Sequence, residues 1–405
     1  MEINSRTSYK NIIYSAVVVN ENIDDLYTSY DNLLEVLKAK PILKYNNGWK
    51  KLINYLNTRN SWALIYKKDI LKKGGNVPYV INKVSKKKKL IDLVVPCYKA
   101  TSTLIRLLAS VASQTMRTNI NVILVQDCDE EDYAEIINIF SPILKIDLVQ
   151  LEINSGPGAA RRIGRKSGKC KYVMYMDADD TFADPFSVQK LYTVIEDSKA
   201  DAVNSIFAEQ VAMNAFLPHN NNDWIWMFGK IYRRRFLEIN EIEMNDSRAN
   251  EDTGFNAIVK CVGDIRYLPD VTYIWHYKED SITRKDGGIY RFTGIEGWLY
   301  NMQWAIDEMI RLDAEEENIK QFVADNIMAT YIWFLGFLHD EDERVDLEEY
   351  KRWVKKYYEN IFEKHIPSEE QLNMAFAMQF GRELMMQRIP KYTFDQYLQL
   401  IRDCK

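Results

Sequence analysis

The sequence predicts an α/β protein: a mainly parallel sheet flanked by helices, set between a helical N-terminal and a helical C-terminal region. Three observations predict this. Short β-type runs alternate with helical patterns from residue 90 to about 285. Those runs are near-continuously apolar, as in strands covered on both faces. Acidic and small residues follow several runs directly, where open α/β sheets bind ligands.

Residues 1–89 read as mostly helical. Ile23, Leu26, Tyr30, Leu33, Leu34 and Leu37 recur at helical spacing, as do Trp49, Leu52, Ile53 and Leu56. Gly74, Gly75 and Pro78 then punctuate the chain, and Ser85–Lys89 reads as a linker. The predicted strands are Leu90–Val95, Asn121–Val125, Ile146–Leu151, Tyr172–Met176 and Ala202–Phe207. Between the first two, Ser102–Gln114 sets Leu104, Leu107, Leu108 and Val111 on one helical face. Residues 90–289 form the predicted α/β domain. From 290 to 405 the pattern is helical again, with stripes at Trp298, Met302, Ala305, Ile306 and Met309, and at Val354, Tyr357, Tyr358, Ile361 and Phe362. These stripes read as core.

Of the 405 residues, 47% are hydrophobic and 27% charged, which excludes a disordered, collagen-like or coiled-coil chain. The longest apolar run, Ile327–Leu338, contains Thr330 and Gly336 and falls short of the roughly 18–20 residues a membrane helix needs. The N-terminus has no apolar core before a cleavage site, and the five cysteines are scattered without a C-x-x-C pair. The expectation is a cytoplasmic protein, with peripheral membrane association as its variant. The net charge of −5 is uneven. Residues 38–90 hold 15 Lys/Arg against one acid, Asp69, a charge of +14; the rest, with 38 basic and 57 acidic residues, carries −19. Such a block suits an anionic partner, whether nucleic acid, an anionic glycan or a membrane surface, or else is a solvated surface that offsets the acidic body.

The residues that carry chemistry follow the strands. The first run ends in Pro96-Cys97-Tyr98-Lys99, the second in Gln126-Asp127-Cys128-Asp129. An aromatic ring and a carboxylate on adjacent strand ends can stack on a base and accept its N–H. Asn154–Gly164 opens a helix after the third strand, but Arg161 stands where a dinucleotide fingerprint needs glycine, and no G-K-[ST] of a P-loop follows. Asp177-Ala178-Asp179-Asp180 places three carboxylates directly after an apolar strand. Their repulsion is relieved by a divalent cation such as Mg²⁺ or Mn²⁺, shared with substrate phosphates. Asn250-Glu251-Asp252-Thr253 precedes a helical run and is also an N-cap pattern. His276, in an aromatic strand, has an ordinary structural reading.

Taken in order, V-P-C-Y-K-A, V-Q-D, N-x-G-x-x-x-A-R-x-x-G, D-A-D-D, E-D and H…S-I-T-R resemble the family 2 glycosyltransferases of the GT-A fold over about residues 90–285. Residues 226–234, W-M-F-G-K-I-Y-R-R, resemble that family's acceptor-side segment. Four positions depart: Lys99 for Asn, Gln126 for the first acid of V-D-D, Cys128 for Gly, and Arg162 for Asn.

The resemblance implies a metal-dependent, inverting glycosyltransferase using a nucleotide-sugar, most often a UDP-sugar. By residue, it implies nucleobase contacts at Pro96, Tyr98 and Asp127, and nucleotide contacts at Arg161 and Asp177. The Mn²⁺ or Mg²⁺ falls to Asp179, with His276 a further ligand. Asp252 becomes the general base, with Glu251 its substitute. Trp226 and Lys230 face the acceptor. The expected acceptor is a glycan or wall polymer, the alternative a hydroxylated DNA base. A non-catalytic nucleotide-sugar-binding module is a further alternative. A sugar nucleotidyltransferase would want glycine after the first strand, and Pro96–Ala100 has none.

Overall fold

The structure is a computed structural model that describes residues 89–212, 215–219, 223–247, 250–278, 289–338, 343–383 and 392–404. The predicted N-terminal helices and nearly all of the basic block lie outside the described residues. The chain divides into two compact units.

The first unit holds one sheet, of nine strands among the described residues. Strand β1 (Ile91–Cys97) pairs in parallel with β2 (Ile120–Gln126) on one side and β4 (Tyr172–Tyr175) on the other. Strand β3 (Lys145–Gln150) pairs in parallel with β2 and closes that edge. β1 and β2 are almost wholly buried, as continuous apolar runs require, whereas the edge strand β3 is half-exposed. Beyond β4 the sheet is mixed. It continues through β8 (Lys230–Arg233), β6 (Ala202–Ala212), β9 (Ile265–Trp275) and β5 (Thr181–Phe182), with β7 (Ala215–Pro218) beside β6. β8 runs antiparallel to both β4 and β6, while β6 and β9 are parallel.

Helix α1 (Thr101–Ala112) buries the predicted stripe Leu104, Leu107, Leu108 and Val111. Helices α2 (Ala134–Phe140), α3 (Gly156–Ser167), α4 (Ser187–Ser198) and α5 (Arg234–Ile239) complete the unit. α3 lies close on the sheet at Gly164, where a Cβ would stand 2.5 Å from Val94 Cγ1 and 2.8 Å from Val125 Cγ2. A buried ion pair fastens the opposite end of β1. Arg234 donates to Asp92 Oδ2 at 2.8 Å and to the Arg165 and Cys170 carbonyls, while Asn121 and the Cys170 amide donate to the same carboxylate. Arg234, read in the sequence as part of an acceptor-side segment, is thus a structural staple.

The second unit comprises residues 224–226, 240–263 and the chain beyond 277. Its helices are α6 (Glu251–Val262), α7 (Tyr290–Thr293), α8 (Ile295–Arg311), α9 (Glu316–Phe337), α10 (Leu347–Tyr357), α11 (Glu369–Glu383) and α12 (Phe394–Asp403). Both predicted stripes are buried. α10 starts at Asp346, whose side chain accepts from the Glu349 amide, and α12 at a Thr393–Gln396 capping box. α6 groups with these helices and not with the sheet. Among the described residues no helix is long and apolar enough to cross a membrane.

Candidate active site

The carboxyl ends of β1, β2 and β4 form one rim, because the three strands are parallel neighbours in register. At the end of β1, Pro96 is half-buried and the Tyr98 ring is 51% exposed. Lys99 follows with φ 50, and Cys128, after β2, also has φ 50. Two of the four family departures therefore fall where the backbone is left-handed, the region that glycine and asparagine tolerate best. The strain at Lys99 is held by Asp129, whose Oδ2 accepts the Lys99 amide at 2.6 Å and the Tyr133 hydroxyl at 2.7 Å. The Tyr133 oxygen in turn accepts the Ala100 amide, and Glu131 accepts that of Thr101. The loop bearing Tyr98 is thereby tied to the end of β2.

Gln126 explains another departure. Its Nε2 donates to Asp129 Oδ1 at 2.7 Å and to the Glu131 carbonyl at 2.8 Å, and its Oε1 accepts from Gln150. A carboxylate at 126 would have no proton to donate and would face Asp129. Burial pushes the Asp129 carboxyl up, but donation from Lys99, Tyr133, Gln126 and Glu131 outweighs it and holds the group below its usual range. Asp127 is 4% exposed. Its two oxygens accept the Ser155 and Gly156 amides at 2.7 and 2.8 Å, so it anchors the turn that starts α3. The nucleobase contact expected of Asp127 would come in addition to this task.

The third feature of the rim is the turn after β4. Arg161, on α3 and 5% exposed, donates to Asp177 Oδ1 at 2.6 Å. Asp179 is half-buried, and its carbonyl accepts Arg106 at 2.5 Å. Asp180 is wholly buried: Oδ2 accepts the Tyr273 hydroxyl at 2.5 Å and Oδ1 the His276 amide at 2.8 Å. Burial, followed by the charges of Asp179 and Asp177, pushes Asp180 well above the carboxylate range. The three acids thus divide into one paired with arginine, one half-buried in the turn and one wholly buried beneath it.

His276 is 2% exposed. Nε2 lies 2.9 Å from Thr181 Oγ1, and Nδ1 lies 3.2 Å from Gln210 Oε1, which also accepts the Tyr277 amide. A neutral ring protonated on Nδ1 satisfies every partner, and burial, then the Arg106 charge, lowers its pKa well below the usual value. In this arrangement both nitrogens are engaged within the protein. The ring packs β9 against β5, the structural reading, and a cation would have to displace Thr181 from Nε2.

The residues expected on the acceptor side fall in different units. Lys230 is 1% exposed, and its ammonium donates to the Asp223 and Phe228 carbonyls at 3.2 and 3.3 Å in the first unit. Trp226, half-buried, belongs to the second unit with Glu251 and Asp252. There Asn256, one turn beyond Asp252 on α6, donates to the Trp226 and Ile225 carbonyls at 2.9 and 3.3 Å. Glu251 is 3% exposed, whereas Asp252 is half-buried and accepts the Thr253 amide at 2.8 Å. The N-cap is Asn250, in a left-handed conformation, so neither acid is the cap.

Sequence reasoning passed over several supports of the rim. Ser110 sits on the buried face of α1, and Gln114, also buried, lies two residues past its end. Ser110 accepts the Phe182 amide, while Gln114 donates to the Asp184 carbonyl and accepts the Val188 amide, holding the chain that follows the turn. Two polar residues in step with the apolar face of α1 were the available signal, Ser110 within the helix and Gln114 just beyond it. Asp129 was visible only as one acid of the run after β2, and Gln210 gave no signal, since its partners His276 and Tyr277 lie more than sixty residues away.

A mainly parallel sheet flanked by helices and followed by a helical C-terminal region defines a protein of the GT-A fold. Residues 92–249 match the model of Glycosyl transferase family 2, and they are a domain of that family. The chain is 26% identical over 225 residues to the succinoglycan biosynthesis protein ExoO of Rhizobium meliloti, covering 48% of this chain and 62% of the relative. It is 24% identical over 280 residues to the poly(ribitol-phosphate) β-N-acetylglucosaminyltransferase TarS of Staphylococcus aureus, covering 65% of this chain and 48% of the relative. The matches thus span about half to three-fifths of these relatives. Among solved structures, S. aureus TarS 1–349 in complex with UDP-GlcNAc shares the fold, with a TM-score of 0.59 at 19% identity over 74% of this chain and 92% of that one.

Proposed function

We propose that this chain is a nucleotide-sugar-dependent, inverting glycosyltransferase that acts on an anionic wall-type polymer. The observation that carries the reading is the family 2 domain at 92–249, whose rim presents Tyr98 and the Arg161–Asp177 pair. ExoO by its name serves polysaccharide synthesis, and TarS acts on poly(ribitol-phosphate), a polyanion that would suit a block of charge +14.

In this reading Pro96 and Tyr98 form the nucleobase platform, and Arg161 and Asp177 meet the nucleotide. Asp179 holds the Mn²⁺ or Mg²⁺. The assignment follows the family resemblance, in which Asp179 stands at the metal position of D-A-D-D, between the arginine-paired Asp177 and the buried Asp180. Among the described residues no three His, Cys, Asp or Glu side chains gather into a metal cage, so the donor phosphates would supply further ligands. When bound, the cation would stabilise charge on the departing diphosphate. Asp252 takes the proton of the acceptor hydroxyl as its oxygen bonds to the anomeric carbon and the bond to the diphosphate breaks. With one displacement the anomeric configuration inverts.

Thermal unfolding with UDP-GlcNAc, UDP-glucose and GDP-mannose, with and without Mn²⁺, tests the donor assignment, because a ligand of the folded state raises the midpoint. Transfer from UDP-GlcNAc to poly(ribitol phosphate) tests the acceptor. No stabilisation by any of the three nucleotide-sugars would overturn the reading.

A further inference from the structure

Helix α6 begins directly after the family-matched segment and carries the base assigned above. Its seat is helix α8. A Cβ on Gly254 would stand 2.9 and 3.1 Å from Cζ3 and Cε3 of Trp304, and 3.3 Å from the Asn301 carbonyl oxygen. The backbone of α6 therefore rests against α8 two residues past Asp252, and only glycine permits that depth. Asn301, on the same face of α8 and fully buried, holds the chain that leads into α6. Its Oδ1 accepts from Asn245 Nδ2, and its Nδ2 donates to Ser247 Oγ at 2.9 Å and to the Gly297 carbonyl at 3.1 Å. The Ser247 amide closes the network on Asn245 Oδ1 at 3.1 Å.

We propose that Asn301 and Trp304 are positioning residues that set where α6 presents Asp252. The proposal rests on the reading of Asp252 as the acceptor's base. Trp304 fixes the depth of the first helical turn, and Asn301 fixes the 245–247 segment ahead of it. A rigid helix transmits any displacement of its seat to the carboxylate, and a shift of about 1 Å at a reacting group can cost about 10²-fold in rate.

The test uses the full chain, with UDP-GlcNAc as donor and poly(ribitol phosphate) as acceptor. Gly254→Ala should lower kcat by about 10–100-fold while leaving UDP-GlcNAc affinity within about twofold. Adding Trp304→Leu removes the ring that the new methyl meets and should recover about tenfold of kcat. Asn301→Ala should lower kcat in the same way and should speed amide hydrogen exchange in residues 242–247 and 250–262, with β1, β2 and β4 unchanged. An unaltered kcat in Gly254→Ala, no recovery in the double variant, or unaltered exchange in a folded Asn301→Ala protein would overturn the proposal. If the wild type transfers no sugar, the functional reading falls, and the exchange measurement alone decides whether Asn301 holds this helix.

Discussion

The guanidinium of Arg161 lies 2.6 Å from Asp177 Oδ1, joining the glycine-rich turn of α3 to the acidic turn after β4. Arg161 is almost fully buried and Asp177 about one-third exposed, so the pair is an inner wall of the rim and not a surface ornament. Charge-assisted hydrogen bonds of this kind contribute about 1.5–3 kcal/mol. Arg161→Ala is expected to weaken UDP-GlcNAc binding by about 10–100-fold, and Arg161→Lys by less. Isothermal titration of the folded variants measures it. Unchanged affinity would make the pair purely structural.

Gln126 and Asp129 give a stability prediction with a pH signature. Gln126→Glu replaces a donor to Asp129 by a second carboxylate and should cost about 2–3 kcal/mol at pH 7. In the wild type the depressed carboxyl of Asp129 contributes stability that is complete above its unfolded value of about 3.9 and is lost as pH falls through its lower folded value. In the variant, the introduced carboxyl is pushed upward by Asp129, so its penalty is present above that raised value and fades as pH falls. Urea unfolding at pH 7 and pH 5 should show the gap between the two proteins narrowing. A constant gap would mean that packing, not charge, is responsible.

How much of this was legible in the sequence depends on the range of the interaction. β1, β2, β4 and α1 were visible because their buried faces are written as local apolar patterns, and the acid turn because its carboxylates are adjacent. β8 was hidden, since four residues within a charged segment carry no strand periodicity. With it went the antiparallel half of the sheet. The two hydrogen bonds that divide the labour of the acid turn join Asp180 to residues more than ninety positions away, Tyr273 and His276. The anchoring role of Asp127 was equally hidden, because its partners are backbone amides, which have no letter in a sequence.

Asp179→Asn tests the cation. The substitution keeps the shape of the turn and removes a charged ligand, so the Mn²⁺ dependence of UDP-GlcNAc binding should disappear and sugar transfer with it. In EDTA the variant and the wild type should bind nucleotide alike. Activity in the wild type that survives EDTA would remove the metal from the proposal.

Asp252→Asn and Glu251→Gln separate the two acids of α6. Loss of a positioned general base lowers turnover by about 10²–10⁴-fold while leaving donor binding near normal. That outcome is expected for Asp252, which is half-buried at the start of the helix. Glu251 is buried, so Glu251→Gln should show itself chiefly as a lower melting temperature. The opposite pattern in kcat would transfer the base to Glu251.

The basic block supplies the last prediction. Lys89 is already committed, since its ammonium donates to the Thr118 carbonyl at 2.6 Å, so a charge test should leave it alone. Lys86, Lys87 and Lys88 precede it. If the block grips a polyanion, changing these three to glutamine should weaken binding of poly(ribitol phosphate). It should also flatten the dependence of affinity on salt, because fewer counterions are released. UDP-GlcNAc binding should be unchanged, since the residues assigned to the donor in the proposal follow the carboxyl ends of the strands, whereas these lysines precede the start of β1 in the chain. Fluorescence anisotropy at two salt concentrations, with poly(ribitol phosphate), duplex DNA and single-stranded DNA as ligands, separates the outcomes. Loss confined to the polyol phosphate supports the wall-polymer acceptor. Tight, salt-sensitive DNA binding lost in the variant would favour the nucleic-acid acceptor instead. Failure of the wild type to bind any of the three would leave the block as a solvated surface, its charge serving only to offset the −19 of the rest of the chain.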